Sequence, residues 1–191
     1  MVRVLRPALP GCDSLLPYLR RIDESRTYSN HGPLSREFRD RLCLMAGARG
    51  AALTSNGTTA IEVALRALAE RGGTCLMPAF TFIATAHAVL NAGLRPVLVD
   101  VDAGSMMLTP AIAREAIATL AEPPAAVVPV SAFGAPPDIQ GWEAFQRETG
   151  IAVVHDAAAA ATSIGTVGTA PVCLSLHATK VAPAPPTTTT A

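Results

Sequence analysis

The sequence contains little charge and no excess of either sign. Only 16% of its 191 residues are Asp, Glu, Lys or Arg, and 15 basic side chains balance 15 acidic ones. A neutral chain offers no basic surface for nucleic acid or for an anionic membrane, so neither is predicted as a partner. Half of the residues are hydrophobic, which excludes a disordered or fibrous chain and favours a globular domain.

Long apolar runs and paired cysteines are also missing. No segment approaches the roughly 20 uninterrupted apolar residues that span a bilayer. Pro7 and Pro10 interrupt the amino-terminal segment, where a signal peptide would need its apolar region. The four cysteines, at positions 12, 43, 75 and 173, are far apart and form no CxxC pair. We therefore expect no metal site and no disulfide framework. Reduced, buried thiols in a cytoplasmic protein are expected instead.

From residue 51 onward, strand-like and helix-like segments alternate. Strands are predicted at 51–54, 74–77, 96–100, 125–130, 151–155 and 172–176, and helices at 58–71, 84–91, 110–120 and 138–148. The segment 96–100 is apolar without polar alternation, as expected of a buried strand in a parallel sheet. The alternation predicts an α/β fold of three layers, with a mostly parallel sheet covered by helices on both faces.

The two ends of the chain differ from this middle part. Residues 1–30 are predicted to form an amino-terminal arm, and a charged helix at about 34–46 opens the main domain, residues 31–180. Residues 181–191 contain three prolines and four consecutive threonines. We expect this low-complexity tail to form no element of the core.

The turn between the first predicted strand and the first long helix is a candidate anion site. Gly57 would let backbone N–H groups approach a phosphate, and the hydroxyls of Ser55, Thr58 and Thr59 could donate hydrogen bonds. An ordinary helix N-cap at Asn56 is the alternative. Neither GxGxxG nor a Walker A lysine accompanies the turn, which disfavours dinucleotide and nucleoside triphosphate sites.

Other polar and aromatic residues follow strands at the same predicted edge, where ligands of such sheets bind. Asp156 could pair with the protonated nitrogen of a pyridine ring, or cap a helix formed by the alanines that follow. Its neighbour His155 should point to the opposite face and is interpreted as a core residue or a support for the site. Phe82 could stack on an aromatic cofactor or pack in the core, whereas Phe80 is expected in the core.

The last predicted strand is followed by Ser175, His177 and Lys180. A hydroxyl at Ser175 could add a phosphate contact, and an amine at Lys180 could attack a carbonyl group. Taken alone, Lys180 would be interpreted as a surface lysine, because lysine is rarely buried.

Five stretches, in this order and spacing, resemble those of the DegT-type (DegT/StrS) sugar aminotransferases, enzymes of fold type I that use pyridoxal 5'-phosphate (PLP). The stretches are SNHGPL at 29–34, TSNGTTA at 54–60, PAFTFIAT at 78–85, GLRPVLVD at 93–100 and SLHATK at 175–180. The similarity covers residues 28–180.

The resemblance implies a role for each candidate residue. Lys180 would hold PLP as a Schiff base, Asp156 would pair with the pyridine nitrogen, and both would be catalytic. Phe82 would stack on the ring. The full set of cofactor-binding residues that the resemblance implies is Gly57, Thr58, Phe82, Asp156, Ser175 and Lys180. Ala159 stands where the family usually has Gln or His against the ring oxygen.

The resemblance also implies an activity. The expected function is PLP-dependent amination of a nucleotide-linked keto-deoxysugar, with glutamate as amino donor and a homodimer as the active assembly. Lysine rather than histidine at position 180 favours transamination over the dehydratase branch of the family. The expected domain is a truncated fold type I large domain, without the carboxyl-terminal small domain. The alternative is a non-catalytic remnant or interaction module that keeps only the cofactor-binding motifs.

Overall fold

A computed structural model describes residues 9–180; the predicted tail at 181–191 lies outside the described residues. The helices are α1 (Cys12–Ser25), α2 (Pro33–Ala46), α3 (Gly57–Leu68), α4 (Ile83–Asn91), α5 (Pro110–Ala118) and α6 (Ile139–Thr149). The strands are β1 (Thr74–Pro78), β2 (Arg95–Val99), β3 (Ala126–Val127), β4 (Ala152–Val153), β5 (His155–Asp156) and β6 (Val172–Cys173). No helix within the described residues is both long enough and apolar enough to cross a membrane.

The strands form a parallel sheet in the order β2-β1-β3-β4, and β5 pairs in parallel with β6. Backbone hydrogen bonds join these two groups. On one side, the Val154 N–H donates to the carbonyl that ends β3, at 3.0 Å, and the Asp156 N–H donates to a carbonyl after β3, at 2.9 Å. On the other side, the His155 N–H donates to the carbonyl just before β6 and the Ala157 N–H to the carbonyl that ends β6, at 2.9 Å each. The segment 152–157 therefore has a parallel neighbour on each side.

Helices cover both faces of the sheet. On one face, Cys75 and Met77 of β1 pack with buried residues of α3 and α4. On the other, Leu76 packs with Trp142 and Phe145 of α6. This alternation along β1 follows from the two-residue period of a strand. The predicted three-layer α/β fold is confirmed.

The helices begin close to where the sequence predicted. The Thr109 hydroxyl accepts a hydrogen bond from the Ile112 N–H at 3.3 Å, and Pro110 occupies the first turn of α5. Asp138 caps α6 in the same way, through the N–H of Gly141 at 2.9 Å. Each cap supplies an acceptor to an N–H group that has no partner inside its helix.

The predicted strand at 51–54 is wrong. These residues have no strand partner in the part of the chain that the structure describes, and the Leu53 side chain is 44% exposed. A strand exists only where a neighbouring backbone completes its hydrogen bonds, and a short apolar run does not specify that neighbour. For the same reason the strand predicted at 172–176 is reduced to β6.

Burial differs from the prediction at two apolar sites. Strand β2 lies at an edge of the described sheet, and Leu98 is 62% exposed rather than buried on both faces. Phe80 is 40% exposed, although we expected it in the core, and its ring packs against Phe133 with centroids 5.9 Å apart. Apolar composition alone does not distinguish an edge position from a central one.

The amino-terminal region contains a helix that the sequence did not predict. Helix α1 includes Pro17 and buries none of its residues, and its first residue, Cys12, is exposed. Helix α2 matches the predicted charged helix, and its buried Ala46 packs with the segment 157–164. Cys43 is half-buried, so only the other two thiols, in β1 and β6, are buried as expected. The boundary between arm and domain at residue 30 stays a prediction.

His155 lies in the core, which was one of its two interpretations. The residue is 1% exposed, and neither ring nitrogen has a hydrogen-bond partner among the described residues. Burial lowers the His155 pKa to about 4, while the carboxylates of Asp138 and Glu143 oppose that shift. The folded protein therefore favours the neutral imidazole.

We expect the protein to lose stability as the pH falls from about 6.5 to about 4, because unfolded His155 gains a proton in this range and folded His155 does not. The loss from this residue should be complete below the folded pKa and reach about 3 kcal/mol at most. Urea unfolding across this range measures it. His155→Leu should flatten this part of the pH dependence, and exposed His87→Gln is the control. An equal slope in His155→Leu and the parent chain would contradict the prediction.

Candidate active site

Asp156 occupies the end of β5, facing the amino-terminal turn of α4. Its side chain is buried, and its Oδ2 accepts a hydrogen bond from the Thr85 hydroxyl at 2.7 Å. Its Oδ1 accepts one from the N–H of Ala158 at 3.1 Å. The alanines that follow form turns and no helix, so the predicted alternative of a helix N-cap is wrong. Each carboxylate oxygen keeps a lone pair for a further donor.

Sequence reasoning missed two threonines that support this carboxylate. Thr85 is completely buried, and its hydroxyl lies 2.7 Å from that of Thr81 as well as from Asp156. The available signal was their four-residue spacing at the start of a helix, since residues four apart share one helix face. Both lie in the stretch 78–85 that carries part of the family resemblance.

The amino terminus of α3 forms the second part of the site. Asn56 Oδ1 accepts a hydrogen bond from the Thr59 N–H at 2.9 Å, so the N-cap interpretation is confirmed. The N–H groups of Gly57 and Thr58 have no acceptor within residues 9–180. They are two of the unpaired donors that every helix carries at its start, and they favour an anion. The N-cap and the anion site are therefore compatible.

Gly57 brings this helix end against the segment that follows β6. A Cβ atom at Gly57 would lie 3.1 Å from Ser175 Cβ and 3.4 Å from the Leu174 carbonyl oxygen. Ser175 Oγ accepts a weak hydrogen bond from the His177 N–H at 3.4 Å, so its own proton is free to be donated to another group. Two stretches far apart in sequence thus place backbone N–H groups and a hydroxyl side by side.

Phe82 and Lys180 complete the predicted set. Phe82 precedes α4, and its side chain is 74% exposed, so the alternative of a core phenylalanine is wrong. Lys180 is half-buried, and its N–H donates to the His177 carbonyl oxygen at 2.7 Å. In the described part of the chain, no hydrogen bond joins the Lys180 amine to Asp156. The structure therefore connects Gly57 with Ser175, and the start of α4 with Asp156, whereas the role of Lys180 stays a prediction.

The chemistry of these groups would suit a small anionic ring compound. Unpaired N–H groups and hydroxyls suit a phosphate, a buried carboxylate suits a ring N–H, and an exposed aromatic side chain suits a planar ring. Among residues 9–180 there is no cluster of three His, Cys, Asp or Glu side chains that could hold a metal ion.

Comparison with known proteins identifies the family. The DegT/DnrJ/EryC1/StrS aminotransferase family matches residues 13–184. The chain belongs to this family. Among curated proteins, this aminotransferase-family chain is 34% identical over 155 residues to a dTDP-4-amino-4,6-dideoxy-D-glucose transaminase of Shigella dysenteriae, and 31% identical over 157 residues to one of Escherichia coli. These matches cover 81% and 82% of this chain but 41% of each relative.

Solved structures show the same relation. The structure of DesI with its TDP-sugar product superimposes with a TM-score of 0.79 at 33% identity, covering 92% of this chain and 45% of that chain. A Bacillus cereus protein classed as a PLP-dependent aminotransferase gives a TM-score of 0.85 at 28% identity, covering 92% and 50%. The chain thus spans half or less of the length of these family members.

Gly57→Ala should destabilise the protein, because the added methyl group must push the segment that follows β6 away from α3. Overpacking of this kind costs about 1–3 kcal/mol. The matched control is Gly50→Ala, since a Cβ atom at Gly50 meets no atom within 4 Å. Urea unfolding of both variants measures the difference. Equal stabilities would show that Ser175 moves aside without cost.

Proposed function

We propose that this chain forms the PLP-binding part of an aminotransferase that acts on a nucleotide-linked keto-deoxysugar. The observation that carries the proposal is the buried Asp156 carboxylate, which is held at both oxygens beside the start of α4. A carboxylate in this position suits the protonated nitrogen of a pyridine ring. Membership of an aminotransferase family supports the same conclusion.

The residues at the strand ends fit PLP by their chemistry. When bound, PLP supplies an electron sink for the transfer of an amino group. The N–H groups of Gly57 and Thr58, together with the Thr58 and Ser175 hydroxyls, would bind the phosphate at the amino terminus of α3. Asp156 would keep the ring nitrogen protonated, and the exposed Phe82 ring would stack on the cofactor.

Lys180 would carry the reactive amine. It is the only lysine in the 191-residue sequence, so no other side chain of this type can take the role. In this proposal its Nζ holds the cofactor at rest and, once released, accepts and returns the proton that moves during amino transfer. The Lys180 backbone N–H donates to the His177 carbonyl oxygen, and this hydrogen bond fixes the backbone of the turn that carries the Lys180 side chain.

The printed activities of the relatives support the substrate class. Two curated relatives are dTDP-4-amino-4,6-dideoxy-D-glucose transaminases, and DesI was solved with a TDP-sugar product. We extend this chemistry to a nucleotide-linked keto sugar as amino acceptor and glutamate as amino donor. A homodimer in the cytoplasm belongs to the same proposal.

After PLP is added and the unbound compound is removed by gel filtration, the protein should retain an absorbance band at about 400 nm or above, because Lys180 would hold the cofactor and the protein tunes its electronics. Borohydride reduction followed by peptide mass spectrometry should then find the label on Lys180. Lys180→Ala should lose both the band and the label. If glutamate is the amino donor, adding it to the PLP-bound chain should decrease the band.

The control places one lysine elsewhere. Lys180→Ala combined with Arg49→Lys keeps the number of lysines, and its new amine lies at an exposed position. This double variant should stay unlabelled at stoichiometric PLP. Equal labelling of the double variant and the parent chain, or a label confined to the amino-terminal amine, would contradict the assignment of Lys180.

A further inference from the structure

Two threonine hydroxyls connect the start of α4 to Asp156. Thr81 Oγ1 lies 2.7 Å from Thr85 Oγ1, and Thr85 Oγ1 lies 2.7 Å from Asp156 Oδ2. Thr85 is fully buried, and Asp156 is 6% exposed. These contacts join residues 71 positions apart in sequence.

The direction of these hydrogen bonds follows from the number of protons. The Thr85 hydroxyl donates its proton to Asp156 Oδ2. A hydroxyl has one proton, so Thr81 donates and Thr85 accepts in the 2.7 Å contact between them, and the Phe82 carbonyl oxygen is a second, more distant acceptor of the Thr81 hydroxyl at 3.4 Å. The hydrogen bonds run in one direction, from Thr81 through Thr85 to the carboxylate.

The two oxygens of Asp156 are held by different elements. Oδ2 is held by Thr85 of α4, and Oδ1 is held by the Ala158 N–H in the turn after β5. Two contacts at opposite oxygens leave the plane of the carboxylate little freedom to rotate. Helix α4 begins directly after Phe82. The hydrogen bond from Thr85 to Asp156 therefore also links the backbone that carries the Phe82 ring to the carboxylate, through the first turn of the helix.

We propose that Thr85 is a positioning residue for Asp156, and that Thr81 holds the Thr85 hydroxyl in its donating orientation. This proposal rests on the proposed function, because the orientation of the Asp156 carboxylate affects binding only if the carboxylate contacts a ring N–H. Thr85 acts through the carboxylate and touches no reacting atom. Its effect should therefore depend on the nitrogen of the bound ring.

The test compares PLP with its 1-deaza analogue, in which a C–H group replaces the ring nitrogen. Dissociation constants of the 191-residue chain are measured for both compounds by fluorescence titration. Thr85→Val keeps the shape and removes the hydroxyl, and it should weaken PLP binding about ten-fold or more, since a hydrogen bond to a charged group is lost. Binding of the analogue should change little.

Three further variants separate positioning from packing. Thr85→Ser keeps the hydroxyl and should retain the preference for PLP over the analogue. Thr81→Val should give a smaller loss of PLP affinity than Thr85→Val. Thr119→Val is the matched control, because it removes an exposed hydroxyl that donates to the Ala116 carbonyl oxygen, away from Asp156; it should leave both affinities unchanged.

Different results overturn different conclusions. The positioning role would be overturned if Thr85→Val lost affinity equally for PLP and for the analogue, or if Thr85→Ser lost the preference for PLP. The proposed function would stand in either case. A parent chain that binds neither compound would overturn the proposed function and the role of Thr85 with it. Thermal unfolding of each variant without ligand shows whether a loss of affinity reflects a loss of folding.

Discussion

The register of the segment 152–157 is the constraint on which the rest of the site depends. Its backbone N–H groups donate alternately to the neighbouring strands on the two sides, so the segment lies inside the sheet. Successive side chains then point to opposite faces. His155 enters the core toward α6, and Asp156 reaches α4. A slip of one residue would exchange them, placing a carboxylate in the apolar core and an imidazole at the site.

The site also depends on where two helices begin. Helices α3 and α4 pack on the same face of the sheet, and their amino-terminal turns lie at the carboxyl ends of the strands. Helix α3 contributes backbone N–H groups, and α4 contributes the Thr85 hydroxyl. Backbone N–H groups and hydroxyls attract an anion without a buried cationic side chain, whereas the desolvation cost of the buried Asp156 carboxylate is offset by hydrogen bonds to both of its oxygens. Close packing at Gly57 sets the distance between α3 and Ser175.

Helices were more predictable than strands for a physical reason. A helix satisfies its own backbone, so periodic apolar residues and caps such as Thr109 and Asp138 are enough to indicate where it begins. A strand needs a neighbour, and the sequence does not state which neighbour is present. The run at 51–54 therefore looked like a strand and is not one, and β2 looked central and is an edge. Helix α1 was missed because Pro17 lies inside it, and a proline usually ends or kinks a helix.

The sequence by itself determined which chemical groups are available for the site. Taken alone, the turn at Gly57, Asp156 and Phe82 each allowed an ordinary structural role. They could be chosen, together with Ser175, because the five stretches keep the order and spacing of the family that they resemble. Only the tertiary structure decided which of these groups meet. The bond between Thr85 and Asp156 and the packing of Gly57 on Ser175 join residues distant in sequence. Such contacts depend on strand order and register, which arise when the whole sheet packs against its helices and which no local pattern encodes.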